Sequence, residues 1–290
     1  MSLSQTTAQD EGPLAIVCGG GSFPFAVADA VGKRGRRVVL FPLRGWAEPD
    51  RVAGYPHRWI TLAKFGGFFG MMRAEGCRDV VFIGSLVRPS VWQLRFDLGT
   101  LRALPQILVA YRGGDNHLLS GIAGIFEQQG FRLVGAHEVA PEILVPAGVL
   151  SRRLPTEQEQ ADIKRGLVLL DAIGKFDIGQ AAVIANNHVL AVEAIEGTDF
   201  MLARIAELRG QKIRAASGGV LIKAPKPGQD RRFDLPSIGP QTIEGVARAS
   251  LAGIAVLASG AIIAEPQRVA AAANKHNVFV VGVRADGTFG

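Results

Sequence analysis

The chain contains little cysteine, few aromatic residues and no long apolar run. Two cysteines in 290 residues, Cys18 and Cys77, are too few for a disulfide framework or a Cys-based zinc site. No apolar segment approaches the roughly 20 residues that cross a bilayer, and residues 1–12 lack the basic start and apolar centre of a secretory signal. We therefore expect a cytoplasmic protein in which both cysteines are small core residues.

Several catalytic motifs are missing as well. The sequence has no His-x-x-x-His, Gly-x-Ser-x-Gly or Walker pattern, which argues against a zinc peptidase, a serine hydrolase and a P-loop NTPase. A complete Gly-x-Gly-x-x-Gly is also missing, because Pro24 takes the register of the third glycine. A nicotinamide- or flavin-dependent oxidoreductase is therefore only a weak alternative.

The formal net charge of +6 suits an anionic partner, which could be nucleic acid, lipid headgroups or a small polyanion. The lysines and arginines are scattered along the chain, and aromatic residues make up only 7% of it. A nucleic-acid-binding domain more often has a dense basic face or stacking aromatics. We expect no nucleic acid among the partners.

The N-terminal half has the pattern of a Rossmann-like parallel sheet. An apolar run at Leu14–Cys18 leads into three glycines, followed by a helical pattern at Phe25–Val31 and a second apolar run at Arg37–Phe41. Further strands are predicted at Trp59–Leu62 and Asp79–Gly84. In such a β-α-β unit the Gly-rich first turn holds phosphate at a helix N-terminus. The predicted substrate-binding residues of this turn are Gly19, Gly20, Gly21 and Ser22.

Polar residues also follow the predicted strand Asp79–Gly84. In α/β proteins, ligands bind beyond the carboxyl ends of the strands. We therefore predict that Ser85 and Arg88 contact phosphate or uridine.

Two prolines and a glycine between residues 140 and 148 indicate a domain boundary. We predict two α/β domains with the ligand cleft between them, because clefts at domain junctions commonly bind ligands. The predicted parts are a tail at 1–12, disordered or left over from cloning, an N-terminal nucleotide-sugar-binding domain at 13–140, a linker at 141–150 and a distinct catalytic C-terminal domain at 151–290.

Polar residues of the second domain follow a predicted hairpin that turns at Asn186–His188. Here Glu193 precedes a short segment that opens a helix, and a helix N-terminus favours an anion. Capping of the helix by Thr198 and Asp199 remains an open alternative. The predicted substrate-binding residues of this segment are Glu196, Gly197, Thr198 and Asp199.

The segment Lys223–Gly239 packs four cations, two carboxylates and three prolines between a predicted strand at 217–222 and a predicted helix from Gln241. Three prolines stiffen the segment. A rigid loop with both signs of charge suits a phosphate–metal site, because Lys and Arg neutralise phosphate oxygens while Asp holds a hard cation or orients a water. A solvated, salt-bridged turn is the alternative.

Within this loop, Asp230 and Asp234 would point to one face of an extended segment and could both reach one Mg²⁺ ion. Asp230 is expected to be the more essential carboxylate. Lys223 and Lys226 would bind phosphates as point charges, with Arg232 as a bidentate clamp. The predicted catalytic residues are Asp230, Asp234, Lys223 and Lys226, and the predicted metal ligands are Asp230 and Asp234.

The pattern Lys-x-x-Lys-Pro-x-Gln-Asp-x-Arg-Phe-Asp-x-Pro-x-Ile-Gly at residues 223–239 resembles the signature of the LpxI family. Members of that family are the UDP-2,3-diacylglucosamine pyrophosphatases of lipid A synthesis in many Gram-negative bacteria. Residues 16–24 resemble the family's N-terminal Gly-Gly-Gly-x-x-Pro element. The likeness covers nearly the whole chain from about Pro13.

This resemblance implies hydrolysis of the pyrophosphate of UDP-2,3-diacylglucosamine to UMP and 2,3-diacylglucosamine 1-phosphate (lipid X), with Mg²⁺ as the expected cofactor. A non-catalytic nucleotide-sugar-binding protein on the same sheet is the alternative. The expected partners are the lipid-linked UDP-sugar, the cytoplasmic face of the inner membrane in peripheral contact, and a second copy of the chain in a homodimer.

Overall fold

The fold is mixed α/β, as the sequence predicts. A computed structural model describes it, and Gly12 is the one residue of the predicted tail that it includes. The described residues are 12–61, 65–85, 115–211 and 218–289.

The chain separates into two compact units. The first comprises Met1–Glu142 together with Asp230–Asp234, and the second comprises Ile143–Gln229 together with Leu235–Gly290. The first unit is therefore discontinuous, because it includes five residues from the middle of the charged loop. Within the described residues, no helix combines the length and the apolarity needed to cross a membrane.

The first unit contains a parallel sheet with the strand order β2-β1-β3-β4 among its described residues. Leu14 of β1 is level with Val38 of β2 on one side and with Asp79 of β3 on the other. Its elements are β1 (Leu14–Cys18), α1 (Phe23–Lys33), β2 (Val38–Pro42), α2 (Pro49–Val52), α3 (Phe65–Ala74), β3 (Asp79–Ile83), α4 (Asp115–Gln128), β4 (Arg132–Leu133) and α5 (Ala136–Val139).

Strand β1 is buried along its whole length, which is typical of a parallel strand covered on both faces. Helix α3 packs Phe68 and Phe69 into the core against Phe126 of α4, with ring centroids 5.6 and 5.0 Å from that ring. The predicted strand at Trp59–Leu62 is wrong in its described part. Ile60 makes only an isolated parallel bridge to Leu43, so the pairing does not extend into a strand.

A buried ion pair lies at the amino end of β3. Asp79 accepts a hydrogen bond from Arg36 at 2.6 Å and two from Arg132 at 2.7 and 2.9 Å. Burial raises the pKa of Asp79, but the hydrogen bonds from Arg132 and Arg36 outweigh it, so the pKa lies below its usual range. The carboxylate therefore remains charged inside the first unit.

A short 3-10 helix at Pro141–Ile143 leads into the second unit. Its main sheet has the order β5-β12-β10-β8-β6-β7 among the described residues, and β9 pairs separately with β11. Its elements are β5 (Gly148–Val149), α6 (Glu157–Gly174), β6 (Ala181–Ala185), β7 (His188–Val192), α7 (Gly197–Gly210), β8 (Val220–Lys223), β9 (Ser237–Ile238), α8 (Pro240–Arg248), β10 (Gly253–Leu257), β11 (Ile262–Ile263), α9 (Pro266–Lys275) and β12 (Phe279–Val283).

Helices cover both faces of this sheet. Strands β8, β10 and β12 are parallel to one another, while β5, β6 and β7 each pair antiparallel to their neighbours. Val183 and Leu221 pack on one face with residues of α7, α8 and α9, whereas Ile184 and Ile222 pack on the other face with α6. Adjacent residues thus point to opposite faces, as strand geometry requires.

A buried aspartate stabilises the predicted hairpin between β6 and β7. Asn186 and Asn187 have positive φ values of 49° and 65° at the turn. Their backbone N–H groups donate to Asp162 of α6 at 2.9 and 2.7 Å. Asp162 therefore has a structural role at this turn, and helix α6 fixes the end of the hairpin.

Candidate active site

The Gly-rich turn of the first unit is joined to the segment that follows β3. Gly20 and Ser85 exchange two backbone hydrogen bonds of 2.8 and 2.9 Å, and Gly19 donates to the carbonyl oxygen of Ile83 at 3.0 Å. A Cβ atom on Gly19 would lie 2.4 Å from the carbonyl oxygen of Ser85. The structure thus brings together the predicted residues Gly19, Gly20 and Ser85, and the close approach of two backbones requires glycine at position 19.

The same turn leads into the N-terminus of α1. Gly21 has a φ of +88°, and Ser22 precedes the helix without a capping bond from its side chain. The first turn of α1 carries no acidic residue, while Pro24 occupies one of its first positions. Uncapped N–H groups and the positive end of the helix dipole suit an anion. Arg88, the other predicted contact of this region, lies outside the described residues.

The predicted catalytic aspartates lie in a tight turn of the first unit. The carbonyl oxygen of Asp230 accepts hydrogen bonds from the N–H groups of Phe233 and Asp234, at 3.1 and 3.3 Å. The expectation of an extended segment is therefore wrong, because one helix-like turn closes between the two aspartates. Residues four apart also share a side of a helical turn. The prediction that both carboxylates serve one ion is untouched by this correction.

Asp230 and Arg232 form an ion pair inside this turn. Arg232 donates from Nη2 to Oδ2 at 2.8 Å and from Nε to Oδ1 at 3.1 Å, and its backbone N–H donates to Oδ1 at 3.0 Å. These hydrogen bonds lower the pKa of Asp230 below its usual range despite the opposing effect of burial. The pair with Asp230 likewise raises the pKa of Arg232. Both groups are therefore charged at neutral pH.

Two further contacts fasten the turn to the first unit. The ring of Phe233 lies 5.7 Å from the ring of Phe82 in β3, and Nη1 of Arg232 lies 3.3 Å from Oε1 of Glu127 in α4. Phe82 stands three residues before Ser85 in the sequence. The Gly-rich turn and the Asp230 turn therefore both adjoin the carboxyl end of β3, which is where α/β proteins place their ligands.

The two predicted lysines belong to the second unit. Lys223 ends β8 and is buried, and its Nζ donates to the carbonyl oxygen of Ser237 at 3.0 Å. Lys226 forms an ion pair with Asp177, and its backbone N–H donates to Gln229 at 3.0 Å. Both ammonium groups are held by the protein in this structure, so a phosphate would have to compete with these contacts.

A buried carboxylate lies beside the predicted anion site of the second unit. Oε1 of Glu193 accepts a hydrogen bond from the Thr198 hydroxyl at 2.8 Å, and Oε2 accepts one from the backbone N–H of Gln180 at 2.7 Å. Glu196 pairs with Arg204 at 2.9 Å. The carbonyl oxygen of Gln180 also accepts from Ala224, the residue after Lys223, at 3.1 Å. The chain at Gln180 therefore links Glu193 to the end of β8.

The alternative of capping by Thr198 and Asp199 is wrong. Helix α7 begins at Gly197, with Glu196 at the N-cap position and no capping bond from its side chain. Thr198 is already inside the helix and turns its hydroxyl to Glu193 instead. Binding of substrate by this segment stays a prediction.

Two family models match this chain. The LpxI N-terminal domain matches residues 13–143, and the LpxI C-terminal domain matches residues 146–281. The chain belongs to the LpxI family. The relative named UDP-2,3-diacylglucosamine pyrophosphatase LpxI, from Caulobacter vibrioides, is 42% identical over 274 residues, which cover 93% of this chain and 97% of that one. The resemblance indicated by the sequence motifs is confirmed.

Solved structures give weaker likenesses to this LpxI family member. The UDP-glucose 4-epimerase of Thermus thermophilus, in complex with NAD, is 12% identical with a TM-score of 0.30, covering 96% of this chain and 88% of that one. The epimerase of Stenotrophomonas maltophila, with bound NAD and formylated UDP-arabinopyranose, is 12% identical with a TM-score of 0.26, covering 85% and 65%. Scores this low carry no argument about fold or function.

Asp230 and Asp234 suit Mg²⁺ only if the substrate phosphates supply further ligands. Mg²⁺ is commonly bound by one or two carboxylates together with waters and substrate phosphates. Asp230 offers such oxygens, but both of them accept hydrogen bonds from Arg232. Within the part of the chain that the structure describes, no group of three or more His, Cys, Asp or Glu could hold a metal. The residues therefore suit an ion that arrives with the substrate phosphates.

Three polar residues that contact the predicted site are not among the residues that the sequence predicts. Glu127 contacts Arg232, Asp177 contacts Lys226, and Gln180 contacts Glu193. Asp177 and Gln180 stand between a predicted helix and a predicted strand, a position that could have indicated them. Glu127 lies within a helix and carries no local signal.

Proposed function

We propose that this protein hydrolyses the pyrophosphate of UDP-2,3-diacylglucosamine in lipid A biosynthesis. The products are UMP and 2,3-diacylglucosamine 1-phosphate (lipid X), formed when water breaks one bridging P–O bond. Membership of the LpxI family carries this proposal, together with the name of a relative that is 42% identical over 97% of its own length. The charged turn at Asp230 supplies groups that suit the chemistry.

The proposed roles follow from the charges of the signature segment. Cleavage of a pyrophosphate requires neutralisation of its oxygens and a positioned water. Arg232 has the planar fork that binds phosphate oxygens in pairs, while Lys223 and Lys226 act as point charges. Arg232 keeps Asp230 ionised at neutral pH, which is the form that acts as a base or a metal ligand.

We also propose that the reaction depends on Mg²⁺. A bound Mg²⁺ would neutralise phosphate charge and lower the pKa of a bound water. The support for this proposal is the pair of aspartates in one turn, since Asp230 and Asp234 offer the oxygen ligands that the ion prefers. Asp230 and Asp234 would hold the ion, and Arg232 would bind a phosphate oxygen.

The Gly-rich turn is the proposed phosphate-binding element of the first unit. Its support is the uncapped N-terminus of α1 and the glycine-dependent contact with Ser85. At the second unit, the N-terminus of α7 likewise lacks a capping bond from its N-cap side chain, but its first turn carries Asp199, and Thr198 links it to the buried Glu193.

The test is release of UMP by the purified full-length chain. With the lipid nucleotide and Mg²⁺ we expect UMP and lipid X in equal amounts, a complete loss with excess EDTA, and recovery when Mg²⁺ is added back. Release that is unaffected by EDTA would refute the metal dependence alone. No release of UMP with any divalent metal would refute the proposed hydrolysis. Tight binding of the lipid nucleotide without turnover would identify a nucleotide-sugar-binding protein instead.

We further propose a cytoplasmic, homodimeric protein in peripheral contact with the inner membrane. The substrate carries two acyl chains, and the second unit exposes the apolar side chains of Phe176, Ile195 and Phe200. Such side chains suit contact with lipid or with another protein. Vesicle flotation would test the membrane contact, and light scattering during size-exclusion chromatography would test the homodimer.

A further inference from the structure

Glu127, a carboxylate outside the signature segment, contacts the charged turn. Glu127 of α4 accepts a hydrogen bond from Nη1 of Arg232 at 3.3 Å. It lies 105 residues earlier in the chain, whereas Asp230, the other partner of this guanidinium, is only two residues away. Glu127 therefore connects the charge of this turn to the helical scaffold of the first unit.

The two carboxylates contact different nitrogen atoms of the guanidinium. Nε and Nη2 face Asp230, while Nη1 faces Glu127. A planar group held by both of its edges cannot rotate freely, so its orientation is set before any ligand arrives. The ring of Phe233 adds a third restraint, since the guanidinium carbon lies 5.8 Å from its centroid.

The backbone of the turn has its own anchor, which does not require Glu127. Phe233 packs on Phe82, and the carbonyl oxygen of Asp230 closes the turn with two hydrogen bonds. The side chain of Glu127 is 52% exposed, so an ion pair there adds little to folding stability. Its effect should therefore fall on the orientation of Arg232 and leave the fold intact.

We propose that Glu127 is a positioning residue that orients Arg232 for binding of the substrate diphosphate. The proposal rests on the proposed function, in which Arg232 binds phosphate. When phosphate draws Nε and Nη2 away from Asp230, Glu127 retains Nη1 and keeps the fork aligned. Without Glu127, the arginine has to be ordered by the ligand itself, which weakens binding.

The experiment compares Glu127→Ala, Glu127→Gln and Glu142→Ala in the full-length protein. Glu142 is the matched control, because it also forms an exposed ion pair with a distant arginine of the first unit, Arg34. We expect Glu127→Ala to raise KM about two- to fivefold, the range that an exposed ion pair provides, with kcat and Tm unchanged. Glu127→Gln, which retains an oxygen that can accept from Arg232, should raise KM less than Glu127→Ala does. Glu142→Ala should change neither KM nor kcat.

A double-mutant cycle tests whether Glu127 acts through Arg232. Arg232→Ala alone should raise KM at least about tenfold, as expected for loss of charged hydrogen bonds. Adding Glu127→Ala to Arg232→Ala should then leave KM unchanged. An equal KM for Glu127→Ala and the unsubstituted protein would overturn the inference. So would an effect of Glu127→Ala that persists without Arg232, or a loss of Tm that accounts for it.

Calorimetry with UDP separates this inference from the proposed function. We expect Glu127→Ala to raise the Kd for UDP by the same factor as KM. If the unsubstituted protein releases no UMP, the proposed function fails, and the UDP measurement alone decides the role of Glu127. Equal UDP affinity in the variant, or no UDP binding by the unsubstituted protein, would overturn the inference.

Discussion

Removal of Asp79 should destabilise the first unit strongly, whereas removal of its exposed partner should not. The Arg36 side chain is only 7% exposed, so Asp79→Ala removes the carboxylate that lies 2.6 Å from this buried guanidinium. Such a loss costs about 3–5 kcal/mol. The Arg132 side chain is 67% exposed and can return to water, so Arg132→Ala should cost about 1–2 kcal/mol.

Urea unfolding followed by tryptophan fluorescence is the appropriate assay. Trp46 and Trp59 lie in the first unit, and the sequence of the second unit contains no tryptophan. With a denaturant slope of about 2 kcal/mol per molar urea, Asp79→Ala should lower the midpoint by about 1.5–2.5 M. Asp79→Asn retains an oxygen for Arg36, so its urea midpoint should lie between those of Asp79→Ala and the unsubstituted protein.

The same ion pair predicts how stability depends on pH. Because the folded-state pKa of Asp79 is lowered, its stabilisation is complete above the unfolded-state pKa of about 3.9 and is lost as the pH falls below that value toward the folded-state pKa. Asp79→Asn should therefore lose less stability on acidification than the unsubstituted protein.

Two results would refute this reasoning. One is an Asp79→Ala midpoint equal to that of the unsubstituted protein, and the other is an Arg132→Ala variant as unstable as Asp79→Ala. Asp79 stands at the amino end of β3 and the candidate site at its carboxyl end. UMP release per folded molecule should therefore stay normal in all of these variants.

The remaining predictions concern the candidate site and the cysteines. Asp230→Ala should lower kcat at least about a hundredfold while circular dichroism shows a folded protein, and near-normal turnover would place the catalytic centre elsewhere. Gly19→Ala should abolish UMP release and lower Tm, because its Cβ would lie 2.4 Å from the backbone oxygen of Ser85; a variant with normal activity and Tm would contradict this. Burial raises the pKa of Cys18 to about 12 and that of Cys77 to about 11, so neither should react with iodoacetamide at pH 8 until the chain is unfolded.

The sequence predicts the elements that depend on local pattern. The apolar run at β1, the glycines after it and the helical period of α1 determine a β-α-β unit, because each signal is complete within a few residues. The sequence predicts the hairpin between β6 and β7 for the same reason. It does not predict the buried Asp162 that holds the turn, because an aspartate in a helix has no local signal of burial.

Predictions at the loops failed where a distant partner decides the conformation. Thr198 is a residue type that often caps a helix, but its hydroxyl donates to the buried Glu193 instead. The helix begins at Gly197, so Thr198 lies inside it. Likewise, Trp59–Leu62 has the apolar residues of a strand, yet Ile60 finds only a single bridge to Leu43. Composition indicated what these segments contain, while tertiary contacts determined their shape.

In the charged turn, the sequence predicts the chemical groups but not the conformation of the backbone. Its cations and carboxylates are recognisable in the sequence, and an extended chain would place Asp230 and Asp234 on one face. The structure instead closes a turn between them, held by Phe233 on Phe82. A spacing of four places two residues on one side in either geometry. The shared-ion proposal therefore survives the error in conformation, but its basis is now the turn, and the carboxylate it needs is one that Arg232 has to release.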